Sequence, residues 1–234
     1  MAILAGLEKE KAVLWRIYAN VAKQEKTISL GELRNDSRAL YCFHEAIINA
    51  LRPTLKEGIR SIILASPPRT NYSQEFITHV RQHHAWLSQG STKVVFSEIV
   101  GTAGTPSQVA ALTRTAVFHE SIEQTTSEET EDLVKLLDRR LNISKSEQAV
   151  LFSLEEAEAS ILKHRGKGEP KPEYLLLTDK YLQGNSQRNR LNRLIQIAAN
   201  KNVKTRTINA ESPAGKRITQ LGGLVCLMKG SEKF

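Results

Sequence analysis

The sequence predicts an α/β protein built from two domains. Segments typical of strands and of helices alternate along most of the 234 residues, a pattern that indicates sheets covered by helices. A stretch rich in Glu, Ser and Thr at residues 120–130 interrupts the alternation. The chain on either side of it is long enough to bury a core of its own. We therefore expect a first domain at residues 1–118, a linker at 119–130 and a second domain at 131–234.

The first domain opens with a predicted meander of three strands, at residues 2–7, 12–18 and 27–30. From Ser37, a candidate N-cap, apolar residues recur at helical spacing as far as Leu51, which indicates an amphipathic helix. A strand at 60–65, a helix at 73–87 and a strand at 93–100 follow. This order predicts a mixed sheet with right-handed crossover connections.

The second domain alternates strictly between the two element types. A leucine stripe at residues 133–141 predicts its first helix. Predicted strands at 149–152, 174–178, 203–208 and 224–228 then alternate with predicted helices at 154–164, 188–200 and 213–221. Such a series is typical of a three-layer α/β/α domain.

Composition limits the protein class before any motif is considered. Hydrophobic residues make up 40% of the chain and charged residues 25%, which excludes a disordered or fibrous protein. No apolar run approaches the roughly 20 residues of a membrane span, so no membrane partner is expected. The two cysteines, Cys42 and Cys226, are not in a CxxC motif. They favour a reducing compartment and hence a cytoplasmic protein.

Positive charge is concentrated at the two ends of the chain. Residues 1–118 hold 14 Lys and Arg against 9 Asp and Glu, residues 119–165 hold 6 against 11, and residues 166–234 hold 13 against 5. Two basic regions suit a polyanion such as RNA, because phosphate contacts release counterions and steer encounter. A merely solvated basic surface is the alternative.

Candidate RNA-binding residues occur in both basic regions. In the first, Lys26, Arg34 and Arg38 flank a loop at residues 31–36. In the second, a predicted phosphate-facing stripe follows one helix and the next strand, through Arg188, Arg190, Arg193, Lys201, Lys204 and Arg206. No aromatic residues are interleaved with them, which favours contact with the backbone or with structured RNA over single-strand reading.

Motifs for catalysis or metal binding are weak. No glycine-rich phosphate loop, HExxH or GxSxG occurs, so we assign no catalytic residue and expect no cofactor. His79, His83 and His84 share one predicted helix. No acidic or cysteine residue completes a ligand set beside them, and we interpret them as surface histidines rather than a metal site.

Four segments of the sequence resemble Pelota and its relatives, the archaeal and eukaryotic class 1 release factors. They are residues 38–51 (RALYCFHEAIINAL), 62–67 (IILASP), 174–180 (YLLLTDK) and 220–227 (QLGGLVCL), in the family's order and at compatible spacings. The resemblance covers nearly the whole chain and implies a ribonuclease H-like central domain followed by a domain resembling kink-turn-binding ribosomal proteins. It implies no counterpart of the family's decoding domain.

The resemblance also suggests partners and a docking segment. It implies a ribosome-binding protein that contacts ribosomal RNA and tRNA, with a translational GTPase or a recycling ATPase as a further partner. Where Pelota has Ser-Pro-Gly-Phe, its contact for the GTPase, this chain has Ser66, Pro67, Pro68 and Arg69, which we take as the candidate docking residues.

Three functions follow from these observations. The first is ribosome rescue or translation quality control, a binding role without codon decoding. The second is a hydrolase of peptidyl-tRNA or RNA that uses the loop at 31–38, where Asp36 could position a water. The third is an adaptor or idling-ribosome (hibernation) factor. The release factors' Gly-Gly-Gln tripeptide does not occur in the sequence, which favours the binding roles.

Overall fold

The computed structural model of the chain describes residues 1–18, 21–31, 34–89, 93–142, 150–163 and 170–229. Within these ranges the chain divides into two compact units, Met1–Glu129 and Thr130–Phe234. No helix among the described residues is long and apolar enough to cross a membrane.

The first unit is built on a mixed sheet that, in the described ranges, has the order β3-β2-β1-β4-β5. The antiparallel pairs β1/β2 and β2/β3 form the predicted meander, and β1/β4 and β4/β5 are parallel. Its elements are β1 (Ala2–Leu7), β2 (Lys11–Ile17), β3 (Ala22–Ser29), α1 (Ser37–Lys56), β4 (Ser61–Ser66), α2 (Tyr72–His83), α3 (Ala85–Ser88), β5 (Val95–Val100), α4 (Pro106–Leu112) and the first part of α5 (Ala116–Asn142).

The positions of the strands follow from their composition. The central strands β1 (AILAGL) and β4 (SIILAS) are buried along their whole length, as expected for strands covered on both faces. Apolar clusters lie on either side of the sheet, one including Ile3 and Ile62 and the other Leu4 and Ile63. The charged strand β3 forms an exposed edge, which discourages pairing with other chains.

The second unit carries a mixed sheet whose described strands have the order β6-β9-β7-β8. One face packs against α6 and α8, and the other against α9 and the later residues of α5. This arrangement confirms the predicted α/β/α layers. Its elements are β6 (Val150–Leu151), α6 (Leu154–Leu162), β7 (Pro172–Thr178), α7 (Asp179–Gly184), α8 (Arg188–Asn200), β8 (Lys204–Ile208), α9 (Pro213–Gln220) and β9 (Leu224–Met228).

Several local predictions differ from the structure. The N-cap of α1 is Asp36 rather than Ser37, because the Asp36 carboxylate accepts hydrogen bonds from the backbone of Arg38 and Ala39. The helix predicted at 73–87 is broken at His84, which has non-helical dihedral angles. The segment at 119–130, which we expected to be a linker, is helical and lies within α5.

The helical state of that segment has a physical reason. Phe118, Ser121, Thr125 and Glu129 are buried and recur three or four residues apart, so they share one face of a helix. Ser121 and Thr125 put small polar side chains on this face, and the usual apolar signal is therefore weak. Thr125 accepts a buried 2.5 Å hydrogen bond from the hydroxyl of Ser61 on β4, which ties α5 to the first sheet.

Candidate nucleic-acid interface

The three predicted RNA-binding residues of the first unit differ in whether their charged groups are already bound by other residues of the protein. Lys26 on β3 and Arg38 on α1 are exposed. Arg34 is held instead: its Nη2 donates to Glu75 Oε2 at 2.9 Å, and its Nη1 donates to the backbone oxygen of Glu8 at 3.1 Å. Its guanidinium carbon also lies 3.7 Å from the centre of the Tyr72 ring. The loop residues 32 and 33 fall outside the described ranges.

Asp36, the carboxylate of the hydrolase hypothesis, has a local structural task. Its Oδ1 accepts hydrogen bonds from the backbone nitrogens of Arg38 at 2.8 Å and Ala39 at 3.4 Å. Such a cap satisfies amide groups that have no partner inside the helix. This bonding accounts for an Asp at this position without a catalytic role.

The candidate docking residues form a turn at the end of β4. Ser66 is the buried last residue of the strand, and Pro68 and Arg69 are exposed. Arg69 has a φ of 62°, and the Thr70 hydroxyl donates to the backbone oxygen of Pro67 at 2.7 Å. The two prolines restrict the backbone of this turn, which therefore presents Arg69 on a stiff support.

The arginines of α8 do not form the single stripe that we expected. At about 100° per residue, Arg188 and Arg193 point roughly 140° apart around the helix. Both are exposed. Arg190 bonds instead to an acidic residue of α6, with Nε donating to Glu158 Oε2 at 2.7 Å, and this bond raises its pKa.

A cavity of about 500 Å³ at one end of the second sheet brings two of the expected stripe residues, Lys201 and Lys204, together with other lysines. It lies where β7 and β8 begin and β9 ends. Five lysines line it, together with one carboxylate, that of Glu173. We call these five residues the lysine pocket: Lys163, Lys171, Lys201, Lys204 and Lys229.

Two of the five ammonium groups are held in place by the protein. Lys201 Nζ donates to the backbone oxygens of Ile161 at 2.7 Å and Leu162 at 3.0 Å, at the C-terminal end of α6. Lys204 Nζ lies 3.6 Å from Glu173 Oε1 and 4.7 Å from the centre of the Tyr174 ring. These contacts fix two positive charges at the wall of the cavity.

Lys171 and Lys229 are the more available members of the lysine pocket. Both are exposed, and the backbone nitrogen of Lys229 donates to the backbone oxygen of Lys171 at 2.6 Å. That bond places the two side chains at neighbouring positions of the same sheet end. Positive charge thus exceeds negative charge at the cavity, which favours a phosphate-bearing ligand.

The sequence predicted Lys201 and Lys204 but missed Lys163, Lys171 and Lys229. These three residues follow α6, precede β7 and follow β9, so only the pairing of the strands brings them together. Their one sequence signal is position, because Lys171 and Lys229 directly flank apolar strands. Arg206, two residues after Lys204 on β8, is half-buried and donates to the backbone oxygen of Thr205 at 2.8 Å.

Of the three histidines that we expected at the surface, His79 and His84 are buried. His79 and His84 are 7% and 8% exposed. Both rings direct Nε2 at one carboxylate oxygen, Oε1 of Glu45 on α1, at 3.1 Å and 2.5 Å. Sequence inspection missed this acidic residue because it lies on a different helix. His83 remains exposed.

Burial controls the protonation of this cluster. Burial, followed by the charges of His79 and Arg34, lowers the pKa of His44 to about 4. Burial also lowers the pKa of His79, although its bond to Glu45 opposes that change. The hydrogen bond from His84 lowers the pKa of Glu45. At neutral pH the cluster therefore combines a carboxylate with uncharged imidazoles at His44 and His79.

The fold of the chain is similar to that of several solved structures. No protein-family model and no curated protein sequence matches the chain. Among solved structures, archaeal Pelota, in a model of ribosome-bound archaeal Pelota and ABCE1, is similar with a TM-score of 0.58 at 16% identity. The match covers 97% of this chain and 61% of that one.

Two structures of S. cerevisiae Dom34 are also similar. Dom34 is described as a translation termination-like factor involved in RNA quality control pathways and interacting with Hbs1. The selenomethionine-labelled form has a TM-score of 0.51 at 17% identity, and the unlabelled form 0.50 at 18%. Each match covers 97% of this chain and 62% or 63% of Dom34. The chain thus spans about three fifths of these neighbours, and the expected resemblance to Pelota is confirmed for the fold.

Proposed function

We propose that the protein binds ribosomes and acts in ribosome rescue or translation quality control. The observation that carries this proposal is the shared fold: the matches to Pelota and Dom34 cover 97% of the chain and so include both units. Of these neighbours, archaeal Pelota is ribosome-bound and Dom34 is involved in RNA quality control. A cytoplasmic location follows from this role.

The lysine pocket is the proposed principal RNA contact. Lys171 and Lys229 supply exposed charges, whereas those of Lys201 and Lys204 are held by protein contacts. Phosphate contacts of this kind position a protein on RNA without reading its sequence. Exposed cations outside the pocket are further proposed RNA contacts, each within its own unit: Lys26 and Arg38 in the first, and Arg188 and Arg193 in the second. Arg34 and Arg190, by contrast, are occupied by Glu75 and Glu158, and we assign them structural roles.

The turn of Ser66, Pro67, Pro68 and Arg69 is the proposed docking site for a protein partner in translation. Its support is the stiff backbone and the exposed guanidinium of Arg69. By analogy with Dom34, which interacts with Hbs1, a translational GTPase is the first partner to try. The archaeal structure with ABCE1 makes a recycling ATPase the second.

Two assays with the full chain test the proposed function. The protein should co-sediment with ribosomes at low salt and be released as salt rises, because phosphate contacts weaken with ionic strength. On ribosomes that carry peptidyl-tRNA it should release no peptide, since Asp36 caps a helix. A protein that remains in the supernatant at every salt concentration contradicts ribosome binding. Peptide release that is lost in a folded Asp36→Ala variant would instead establish the hydrolase.

A further inference from the structure

Three side chains from separate segments of the first unit converge on one point. Glu45 comes from α1, His79 from α2, and His84 from the break between α2 and α3. One potential ligand atom from each lies within 4.8 Å of the other two. We propose that Glu45, His79 and His84 bind a divalent transition-metal ion of the Zn²⁺ type.

The identities of these residues fit such an ion. Imidazole nitrogen and carboxylate oxygen are common zinc ligands, and two His with one acidic residue form a set that leaves a fourth position open. Acidic clusters without histidine would favour Ca²⁺ or Mg²⁺ instead, which prefer oxygen ligands. A ligand set that mixes nitrogen and oxygen atoms therefore favours an ion of the Zn²⁺ type over Ca²⁺ or Mg²⁺.

The spacing requires only a small rearrangement. With metal-to-ligand distances of about 2.0–2.2 Å, tetrahedral geometry separates two ligands by about 3.3–3.6 Å. The nitrogen-to-oxygen distances are now 3.1 Å for His79 and 2.5 Å for His84, as for hydrogen bonds. Each of these opens by about an ångström or less, and the ligand atoms of the two imidazoles, which lie within 4.8 Å of each other, close by at most about 1.5 Å. His84 lies outside regular helix, where its backbone can move most easily.

The three proposed ligands are partly buried, but the site stays accessible to an ion from solvent. The side chains of His79 and His84 are 7% and 10% exposed, whereas that of Glu45 is 26% exposed. The ion can therefore enter past Glu45 and displace little water from the two rings. His79 also lines a cleft of about 470 Å³ between α1 and α2, so one of the three ligands borders an open cleft.

Trp86 supplies a spectroscopic signal for occupation of the site. Its Nε1 donates to His84 Nδ1 at 3.4 Å, which requires the proton of the neutral imidazole to be on Nε2. A metal on Nε2 moves that proton to Nδ1, and the long bond from Trp86 must then break. Because the indole is 47% exposed and lies next to the ligand, metal binding should change its fluorescence.

The test titrates the untagged full chain with Zn²⁺ by calorimetry at neutral pH, in parallel with Trp fluorescence. We expect one equivalent of saturable binding and a fluorescence change with the same midpoint. Glu45→Gln keeps the size and hydrogen-bonding capacity of the side chain, and His84→Asn removes one ligand. Each should weaken binding at least about 100-fold, whereas the exposed His119→Asn should leave it unchanged.

Folding of each variant is checked by circular dichroism. Should His84→Asn unfold, the isosteric Glu45→Gln variant decides the question, and the titration of the unmodified protein decides it if both unfold. Absence of one-equivalent binding in the unmodified protein overturns the proposal. So does binding by Glu45→Gln that equals the unmodified protein, because the ion would then be held by exposed histidines. Ribosome binding is not involved in either measurement.

Discussion

Arg34 and Glu75 form an ion pair that joins the loop before α1 to helix α2. The pair has an Nη2-to-Oε2 distance of 2.9 Å, and only 12% of the Arg34 side chain is exposed. The stacking of Arg34 over Tyr72 and its bond to the backbone of Glu8 make one guanidinium the link between three segments. A residue that sequence alone suggests for RNA contact is thus part of the scaffold.

Replacing Arg34 with Ala should therefore destabilise the first unit. We expect the free energy of unfolding to fall by about 1–2 kcal/mol, because the variant loses the charged hydrogen bonds to Glu75 and Glu8 and the ring contact. Urea unfolding followed by Trp fluorescence measures it, because Trp15 and Trp86 both lie in the first unit. Arg38→Ala is the matched control, with an expected change within about 0.5 kcal/mol. Equal stability of the two variants would contradict the role assigned to Arg34.

Gly215 should not tolerate a side chain. A Cβ atom there would lie 1.9 Å from the backbone oxygen of Asn209, so α9 would have to move away from the preceding loop. Gly215→Ala should cost about 1–3 kcal/mol, the range of overpacked sites. Gly184→Ala is the control, because its Cβ would meet nothing within 4 Å. Unfolding followed by circular dichroism measures both variants.

The same Gly215→Ala variant tests the division of the chain into two domains. Because both Trp residues belong to the first unit, fluorescence follows that unit alone. If the two domains unfold separately, the variant should lower the unfolding midpoint seen by circular dichroism. The unfolding midpoint seen by fluorescence should not change. A shift of both midpoints by the same amount would indicate a single cooperative unit.

The capping box at the start of α6 should make the second unit sensitive to acid. Hydrogen bonds with Ser153 lower the pKa of Glu156 from its usual 4.5, so the folded state binds protons less readily than the unfolded state. The resulting stabilisation is present above pH 4.5 and is lost as the pH falls through the folded pKa. Glu156→Gln should thus be less stable than the unmodified protein at pH 7, with the difference vanishing once the pH falls below the folded pKa.

Ser153→Ala removes the other half of the same box. It should cost about 1 kcal/mol at pH 7, measured by urea unfolding of the second unit. A difference between Glu156→Gln and the unmodified protein that persists unchanged as the pH is lowered until the carboxyl is protonated would show that the charge of Glu156 has no part in the cap.

Local sequence was sufficient for most elements of the fold. The apolar runs of β1 and β7 and the helical spacing of α1 indicate their elements directly, because burial on a sheet or one helix face constrains each residue locally. The polar face at Ser121 and Thr125 hid the helical state of residues 119–130. It lacks the apolar periodicity that predicts a helix.

The candidate sites were harder to predict because they are made by tertiary contacts. Glu45 precedes His79 by 34 residues and reaches it only when α1 packs beside α2. Lys171 and Lys229 become neighbours through the pairing of β7 with β9. Conversely, Arg190 looked available in the sequence, but α6 brings Glu158 within 2.7 Å of it. Charge in a sequence indicates a basic region and does not tell which cations are free.

The proposed role of the lysine pocket is to hold the protein on ribosomal RNA. Its most direct test compares two doubly substituted proteins of equal net charge in ribosome co-sedimentation across a range of salt concentrations. One is Lys171→Glu with Lys229→Glu, and the other is Lys180→Glu with Lys216→Glu, which changes exposed lysines that do not line the cavity. The pocket variant should bind more weakly, and the slope of log K against log salt should flatten by about 0.7–0.9 for each phosphate that the variant no longer neutralises. The control should retain the affinity and slope of the unmodified protein. An equal decrease in the affinity of both variants, or a decrease in neither, would contradict this role.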